Sequence, residues 1–352
     1  MKTSQDDGIR LSICIPTYNF GAFIGETLES IMPQVVDGVE VVILDGGSTD
    51  NTPAVVGEFQ RTYPSLRYHR LAQRGGIDRD LAKTVALARG EYCWIFCSDD
   101  LMRPDAIRRM LTNISSGHDI YICGLTLCTR DMQRLMDQPI LGQKTEGDFD
   151  LGDDGDRRVY FEDAETTVAF FSFAGSLIVG RARWESVPLN DAFVGSCWAH
   201  VARILELIPS GLRLRYLSSS YLWKRMGNDS FMDRGIVHRY GISIDGYHRI
   251  ARTFFGEDSR EARSIRRVIV NEYPPWTLLS AKMSVSHREG GTEEVRALDT
   301  LAREAYRDPS LRNWIYRLIY RWTPLTLYRV VRRGYREFGL SPWTRGVRGD
   351  RS

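Results

Sequence analysis

The sequence predicts an α/β fold: a mostly parallel sheet with helices on both faces, followed by a helical, basic C-terminal region. Three observations carry this. Short apolar runs alternate with amphipathic stretches through the first ~110 residues, as in βαβ units. Several of those runs end in a polar cluster, and open parallel sheets bind ligands beyond the carboxyl ends of their strands. The composition, 43% hydrophobic and 26% charged over 352 residues, supplies an ordinary globular core and excludes a disordered or fibrous chain. The length fits one large domain or two unequal ones.

Leu11 to Ile15 is a short apolar run closed by Pro16, which reads as a buried strand. An amphipathic stretch follows near Ala22 to Met32. Val39 to Leu44 is a second strand, closed by the turn and cap cluster Asp45-Gly46-Gly47-Ser48-Thr49-Asp50. Pro53 suits a first helical turn. Leu66 to Leu71 is a weaker strand. Ile77 to Ala88 has helical spacing, with Leu81, Val85 and Ala88 on one face. Tyr92 to Cys97 is a fourth strand, followed at once by Ser98-Asp99-Asp100, and Arg103-Pro104-Asp105 opens another helix.

Further on, the spacing predicts strands at Ile120 to Cys128, Ser176 to Val179 and Leu212 to Leu217, and a helix at Phe193 to Leu207. Glu146 to Asp156 has six acids and three glycines in eleven residues. It lacks the spacing of a calcium-binding EF-hand loop and reads as a solvated loop. After about Asp233 the pattern is helical. The expected division is residues 1–232, with a first half at 10–115 and a second at 116–232, then a helical region at 233–352.

Charge and cysteine content narrow the class. Lys and Arg number 47 against 45 Asp and Glu, so no excess charge points to nucleic acid. The six cysteines form no C-x-x-C pair and read as reduced, buried thiols of a cytoplasmic protein. Met1 to Arg10 is polar, without the apolar run of a secretory leader. The longest uncharged stretch, Thr166 to Gly180, has 15 residues, short of the ~20 that span a bilayer. From Leu311 to Ser352 ten arginines face two acids, a net +8 in a chain whose total is +2, which leaves the remainder at −6. Trp314, Leu318 and Trp322 share one helical face with Ile315 and Ile319, and arginines interleave with them. That pattern predicts a peripheral element at a membrane surface; a helix docked on the catalytic domain is the alternative.

The strand ends Thr17-Tyr18-Asn19, Asp45-Gly46-Gly47 and Asp99-Asp100 converge on one edge. Two adjacent carboxylates repel unless a cation lies between them. Mg²⁺ or Mn²⁺ takes oxygen ligands and commonly keeps phosphate as a partner. Asp45 can accept hydrogen bonds from a base or ribose, and Gly46-Gly47 let a ligand approach the backbone. A nucleoside diphosphate held through a divalent metal fits this edge; cap and turn residues alone are the other reading.

These pieces resemble the family 2 inverting glycosyltransferases of the GT-A fold. The resemblance rests on Pro16-Thr17-Tyr18-Asn19, Val41 to Asp50 (VVILDGGSTD), Arg89-Gly90-Glu91-Tyr92 and Ser98-Asp99-Asp100, in that order over about residues 10 to 115. Gly76 to Asp100 and Arg225 to Phe231 are similar to the O-antigen type, the abequosyltransferases. The resemblance implies a nucleotide-sugar donor and a saccharide acceptor carried on a lipid, at the cytoplasmic face of the membrane. It implies Pro16, Thr17, Tyr18, Asn19, Asp45 and Gly46 around the base and ribose. It implies a divalent metal on Asp99 and Asp100, with Asp100 holding it toward the diphosphate and Asp99 contacting ribose or sugar. Arg225 and Asn228 would lie near the diphosphate or acceptor.

Three departures shape the remaining expectations. Cys97 stands where many members have Asp. Leu81-Ala82 sit near the place of an Ala-Arg-Asn motif, so Asp78, Arg79 or Asp80 take over donor contacts. Ser196-Cys197 stand where a Glu-Asp base motif is expected. His200, the preferred choice, and Asp191 are the candidate bases. An unperturbed imidazole, with a pKa near 6.5, suits proton abstraction at His200, which also fits a core histidine, and Asp191 also fits a helix-entry cap. A sugar nucleotidyltransferase would carry a Gly-rich phosphate loop after the first strand, which Phe20 to Ile24 lacks. An inactive GT-A-fold scaffold at the membrane is the non-enzymatic alternative.

Overall fold

The computed structural model describes residues 8–142, 146–288 and 290–329. The chain forms two compact units. The first takes the chain up to Tyr160 and Val168–Met226; the second takes Phe161–Thr167 and the chain from Gly227 on.

The first unit begins β1 (Leu11–Thr17), α1 (Ile24–Ile31), β2 (Val39–Asp45), α2 (Thr52–Thr62), β3 (Arg67–Arg70), α3 (Ile77–Leu87) and β4 (Tyr92–Ile95). It continues β5 (Leu101–Met102), α4 (Ala106–Asn113), β6 (Ile120–Cys128), β7 (Arg134–Asp137), β8 (Gly147–Asp150) and α5 (Asp154–Asp163). After the excursion into the second unit come β9 (Leu177–Gly180), α6 (Arg181–Glu185), α7 (Ala199–Leu205) and β10 (Arg213–Arg225).

The sheet order is β3-β2-β1-β4-β9-β6-β10-β5, with β7 on β6 and β8 on β10. β1 pairs in parallel with both β2 and β4, and β2 with β3. The alternation of strands and helices is realised there. Beyond β4 the sheet is mixed: β9 runs antiparallel between β4 and β6, while β6 and β10 are parallel. Leu11, Ile13 and Ile15 and, on the other side, Ser12 and Cys14 are all buried, as expected of a strand covered on both faces.

The later elements differ from the sequence expectation in three places. The helix expected from Phe193 to Leu207 spans only Ala199–Leu205, because Gly195 (φ +86°) and Cys197 (φ +71°) are left-handed and break it. The strand expected at Leu212 to Leu217 runs on to Arg225 through two register shifts. Gly124 faces that irregularity: a Cβ there would lie 2.5 Å from the Ser218 carbonyl oxygen. The acidic stretch is not a loop. Gly147–Asp150 is a strand with Phe149 buried, and Asp150, Asp153 and Asp156 accept backbone N–H bonds at the turn into α5. Short polar side chains that satisfy turn donors give this exposed acidic run a structural role as well.

The second unit is helical: α8 (Ile236–Phe255), α9 (Arg260–Glu272), α10 (Pro275–Val285), α11 (Gly291–Ala305) and α12 (Leu311–Trp322). Glu272 ties Phe161–Thr167 in, accepting from the Thr167 N–H at 2.8 Å and its hydroxyl at 3.0 Å. No helix among the described residues is long and apolar enough to cross a membrane. The basic segment beyond Arg329 lies outside the described residues.

Candidate active site

The parallel register sets Thr17 beside Asp45 at the carboxyl ends of β1 and β2. Pro16 pairs with Leu44 one step below. Asp45 is fully buried and each oxygen is engaged: Oδ1 accepts from Ser48 N–H at 2.7 Å and Oδ2 from the Tyr68 hydroxyl at 2.6 Å. Burial and the bond to Asp45 push Tyr68 well above its ordinary value, so this hydroxyl keeps its proton. Asn19 is exposed and left-handed (φ +57°); its Oδ1 accepts from Thr49 N–H at 2.7 Å. Arg74 stacks over the Tyr18 ring at 4.1 Å. The edge is therefore held before any ligand arrives, and Asp45 is its anchor rather than an open acceptor.

Two buried polar atoms on this edge have no hydrogen-bond partner among the described residues: Thr17 Oγ1 and Asp80 Oδ1. Gly46 separates them. Its N–H donates to the Thr17 carbonyl at 2.9 Å, and a Cβ on it would lie 2.8 Å from Asp80 Oδ2. Buried polar groups left unpaired are costly and mark ligand positions or strain. Burial pushes the Asp80 carboxyl above its ordinary value.

The first turn of α3 distributes three side chains. Asp80 points to Gly46. Asp78 is spent on backbone, accepting from Gly195 (2.8 Å), Cys197 (3.1 Å) and Ala199 (3.1 Å). It thus pins the strained turn that leads into α7, with an N–H donor on each carboxylate oxygen. Arg79 reaches the Asp191 carboxylate at 3.5 Å across 112 positions of sequence.

At the end of β4, ligating atoms of Cys97, Asp99 and Asp100 lie within 4.8 Å of one another, the one such trio of His, Cys, Asp or Glu side chains among the described residues. Asp99 is half-buried and Asp100 buried. Burial, then the Asp99 charge, pushes Asp100 up to about 8; the Arg225 N–H and Lys224 pull against this. Burial and then the two carboxylates push the Cys97 thiol far up. Two hard oxygen donors whose charges oppose each other fit a divalent cation; the thiol is a softer third neighbour.

Arg225 is buried and turned toward the acidic pair. Its N–H donates to Asp100 Oδ1 at 2.8 Å and its Nε to the Asp99 carbonyl at 2.9 Å. Its remaining nitrogens meet the Arg130 carbonyl and Glu26 Oε2, the latter at 2.6 Å, and Phe23 lies beneath at 5.1 Å. It positions the acidic pair. Asn228 belongs to the second unit.

The two candidate bases differ in access. His200 is 7% exposed, its Nε2 hydrogen-bonds the Phe171 carbonyl at 3.0 Å, and burial pushes its pKa down while Asp78 pulls it up. That is the setting of a core histidine. The Asp191 side chain is 82% exposed. The sequence reading missed Glu26, Tyr68 and Lys224. Lys224 adjoins Arg225 in an aromatic strand and could have been noticed; nothing local marks Glu26.

Comparison with known proteins bears on this geometry. Residues 12–166 match the model "Glycosyl transferase family 2". The chain is 29% identical over 293 residues to abequosyltransferase RfbV of Salmonella typhimurium, covering 82% of this chain and 87% of that one. It is 36% identical over 102 residues to chondroitin synthase of Escherichia coli, covering 29% of this chain and 15% of that one. The fold is similar to residues 1–349 of S. aureus TarS, solved with UDP-GlcNAc: TM-score 0.58, 19% identity, covering 94% of this chain and 92% of the other.

Proposed function

Because residues 12–166 are a glycosyl transferase family 2 domain in a GT-A fold, we propose that this glycosyltransferase moves a sugar from a nucleotide-sugar donor to a saccharide acceptor with inversion. The similarity to an abequosyltransferase over most of both chains supports a role in O-antigen or related surface polysaccharide synthesis. A lipid-linked acceptor and a place at the cytoplasmic membrane face complete the reading. The carrying observation is the Cys97, Asp99 and Asp100 trio at the strand end, braced by Arg225.

Asp99, the more accessible carboxylate, and Asp100 behind it would hold a divalent cation. When bound, such a cation neutralises charge on a departing diphosphate. Thr17 and Asp80 offer their unpaired oxygens to the donor across Gly46. Pro16, Tyr18 and Asn19 shape the base and ribose side, and Asp45 keeps that side rigid. Asp191, steered by Arg79, accepts the proton of the acceptor hydroxyl as its oxygen attacks the anomeric carbon and the bond to the diphosphate breaks. His200 is the second candidate for that proton.

Transfer from UDP-, GDP-, dTDP- and CDP-sugars to saccharide acceptors, followed by NMR of the anomeric product, tests this. We expect one nucleotide class to react, with inverted product. Asp191→Asn lowers kcat about a hundredfold or more, and His200→Gln far less. A retained anomeric configuration overturns the mechanism; the opposite ranking of the two variants moves the base to His200. No turnover with any donor favours the scaffold reading, which the absent Glu-Asp pair at Ser196-Cys197 supports.

A further inference from the structure

Helix α12 is inside out. A helix docked on a water-exposed domain turns apolar residues inward and polar ones outward. Here Asn313 and Tyr320 are the buried positions. Asn313 Nδ2 donates to the Asp308 carbonyl at 3.1 Å, and the Tyr320 hydroxyl to Asp299 Oδ1 at 2.8 Å. Leu311, Trp314, Ile315, Leu318, Ile319 and Trp322 face solvent, with Trp314 53% and Trp322 68% exposed. Trp276 of α10, 53% exposed, extends the strip; its ring stands edge-on to Tyr316 at 6.0 Å.

The charges carried by α12 itself have one sign. Arg312, Arg317 and Arg321 lie on α12, and no acid occurs between Asp308 and Glu337. We propose that this outward face, with Trp276, docks flat on an anionic lipid bilayer. The proposal deepens the membrane location named above and rests on it. Aliphatic and tryptophan side chains enter the headgroup boundary while the arginines meet lipid phosphates. A helix of twelve residues is about 18 Å long, against a hydrocarbon core of about 30 Å, so it lies on the membrane and does not span it. A second copy of the same face would set Arg317 and Arg321 against themselves, which disfavours self-association as the occupant.

The test uses the full chain. It is sedimented with vesicles of phosphatidylcholine alone and of phosphatidylcholine mixed with phosphatidylglycerol, with tryptophan fluorescence read in parallel. We expect binding and a blue shift with the anionic vesicles only, weakened by salt. A Trp314→Ser, Leu318→Ser, Trp322→Ser variant loses about tenfold or more of that binding, and Arg317→Gln with Arg321→Gln loses the anionic preference. These side chains are exposed, so circular dichroism stays unchanged. No vesicle binding by the wild type overturns the proposal, as does a serine variant that binds like wild type. A concentration-dependent dimer that the serine variant breaks, without vesicle binding, assigns the face to a second copy. Vesicle binding needs no donor, so its failure is separate from failure of sugar transfer.

Discussion

Asp100 is a buried carboxylate beside a second carboxylate, and it meets that situation by holding its proton up to about pH 8. Its folded pKa lies above its unfolded value, so the associated stability is full below the unfolded value and is lost as pH rises through about 8. A divalent cation must displace this proton. The thermal shift that Mn²⁺ produces should therefore grow between about pH 6 and about pH 9 and vanish in Asp100→Asn; a pH-independent shift contradicts the assignment. His248 in α8 carries the opposite sign. Among the described residues neither of its ring nitrogens has a hydrogen bond, Glu304 lies 3.8 Å off, and burial followed by Arg266, Arg307 and Arg252, against Asp308, pushes it down to about 4. Stability is full above the unfolded value and falls as pH drops through about 6.5 to about 4, by about 3 kcal/mol. Unfolding free energies across that range, compared with His248→Gln, measure it: the variant should lose less. Arg225→Lys keeps charge but not the planar fork that spans Asp99, Arg130 and Glu26, and should cost about tenfold or more in kcat/KM.

At the scale of elements, the first turn of α3 links the strand-end edge at Gly46 to α7. Removing the Asp78 carboxylate orphans three N–H groups at a left-handed turn. Asp78→Ala should lower the unfolding free energy by about 3 kcal/mol, read by denaturant titration. A loss below about 1 kcal/mol would show that the turn holds itself. The sequence displayed this turn only as three polar residues at a helix start. Periodicity marked α3, β1, β2 and β4, because each strand is an apolar run closed by its own turn residues. It could not assign Asp78, Arg79 and Asp80 their separate targets, since those lie 34 to 121 positions away. The short α7 was illegible for the same reason: Cys197 in a left-handed conformation is set by tertiary contacts, not by local preference.

Across the whole molecule, legibility follows contact range. The parallel half of the sheet is built from neighbours in sequence, and its acidic edge could be located from strand ends alone. The mixed half depends on β9 entering between β4 and β6, and on a bulged β10, which no local pattern announces. The second unit was legible as helices, and the apolar face of α12 was visible, but that it turns outward is a property of the fold. The edge at Thr17, Asp80, Asp99 and Asp100 is the proposed site for a nucleotide-sugar held through a divalent cation. Calorimetric titration of UDP-, GDP-, dTDP- and CDP-sugars, with Mn²⁺ or with EDTA, tests it most directly. Saturable binding of one nucleotide class, dependent on metal and lost in Asp99→Asn, is the predicted result. Absence of binding by every donor, with and without metal, contradicts it.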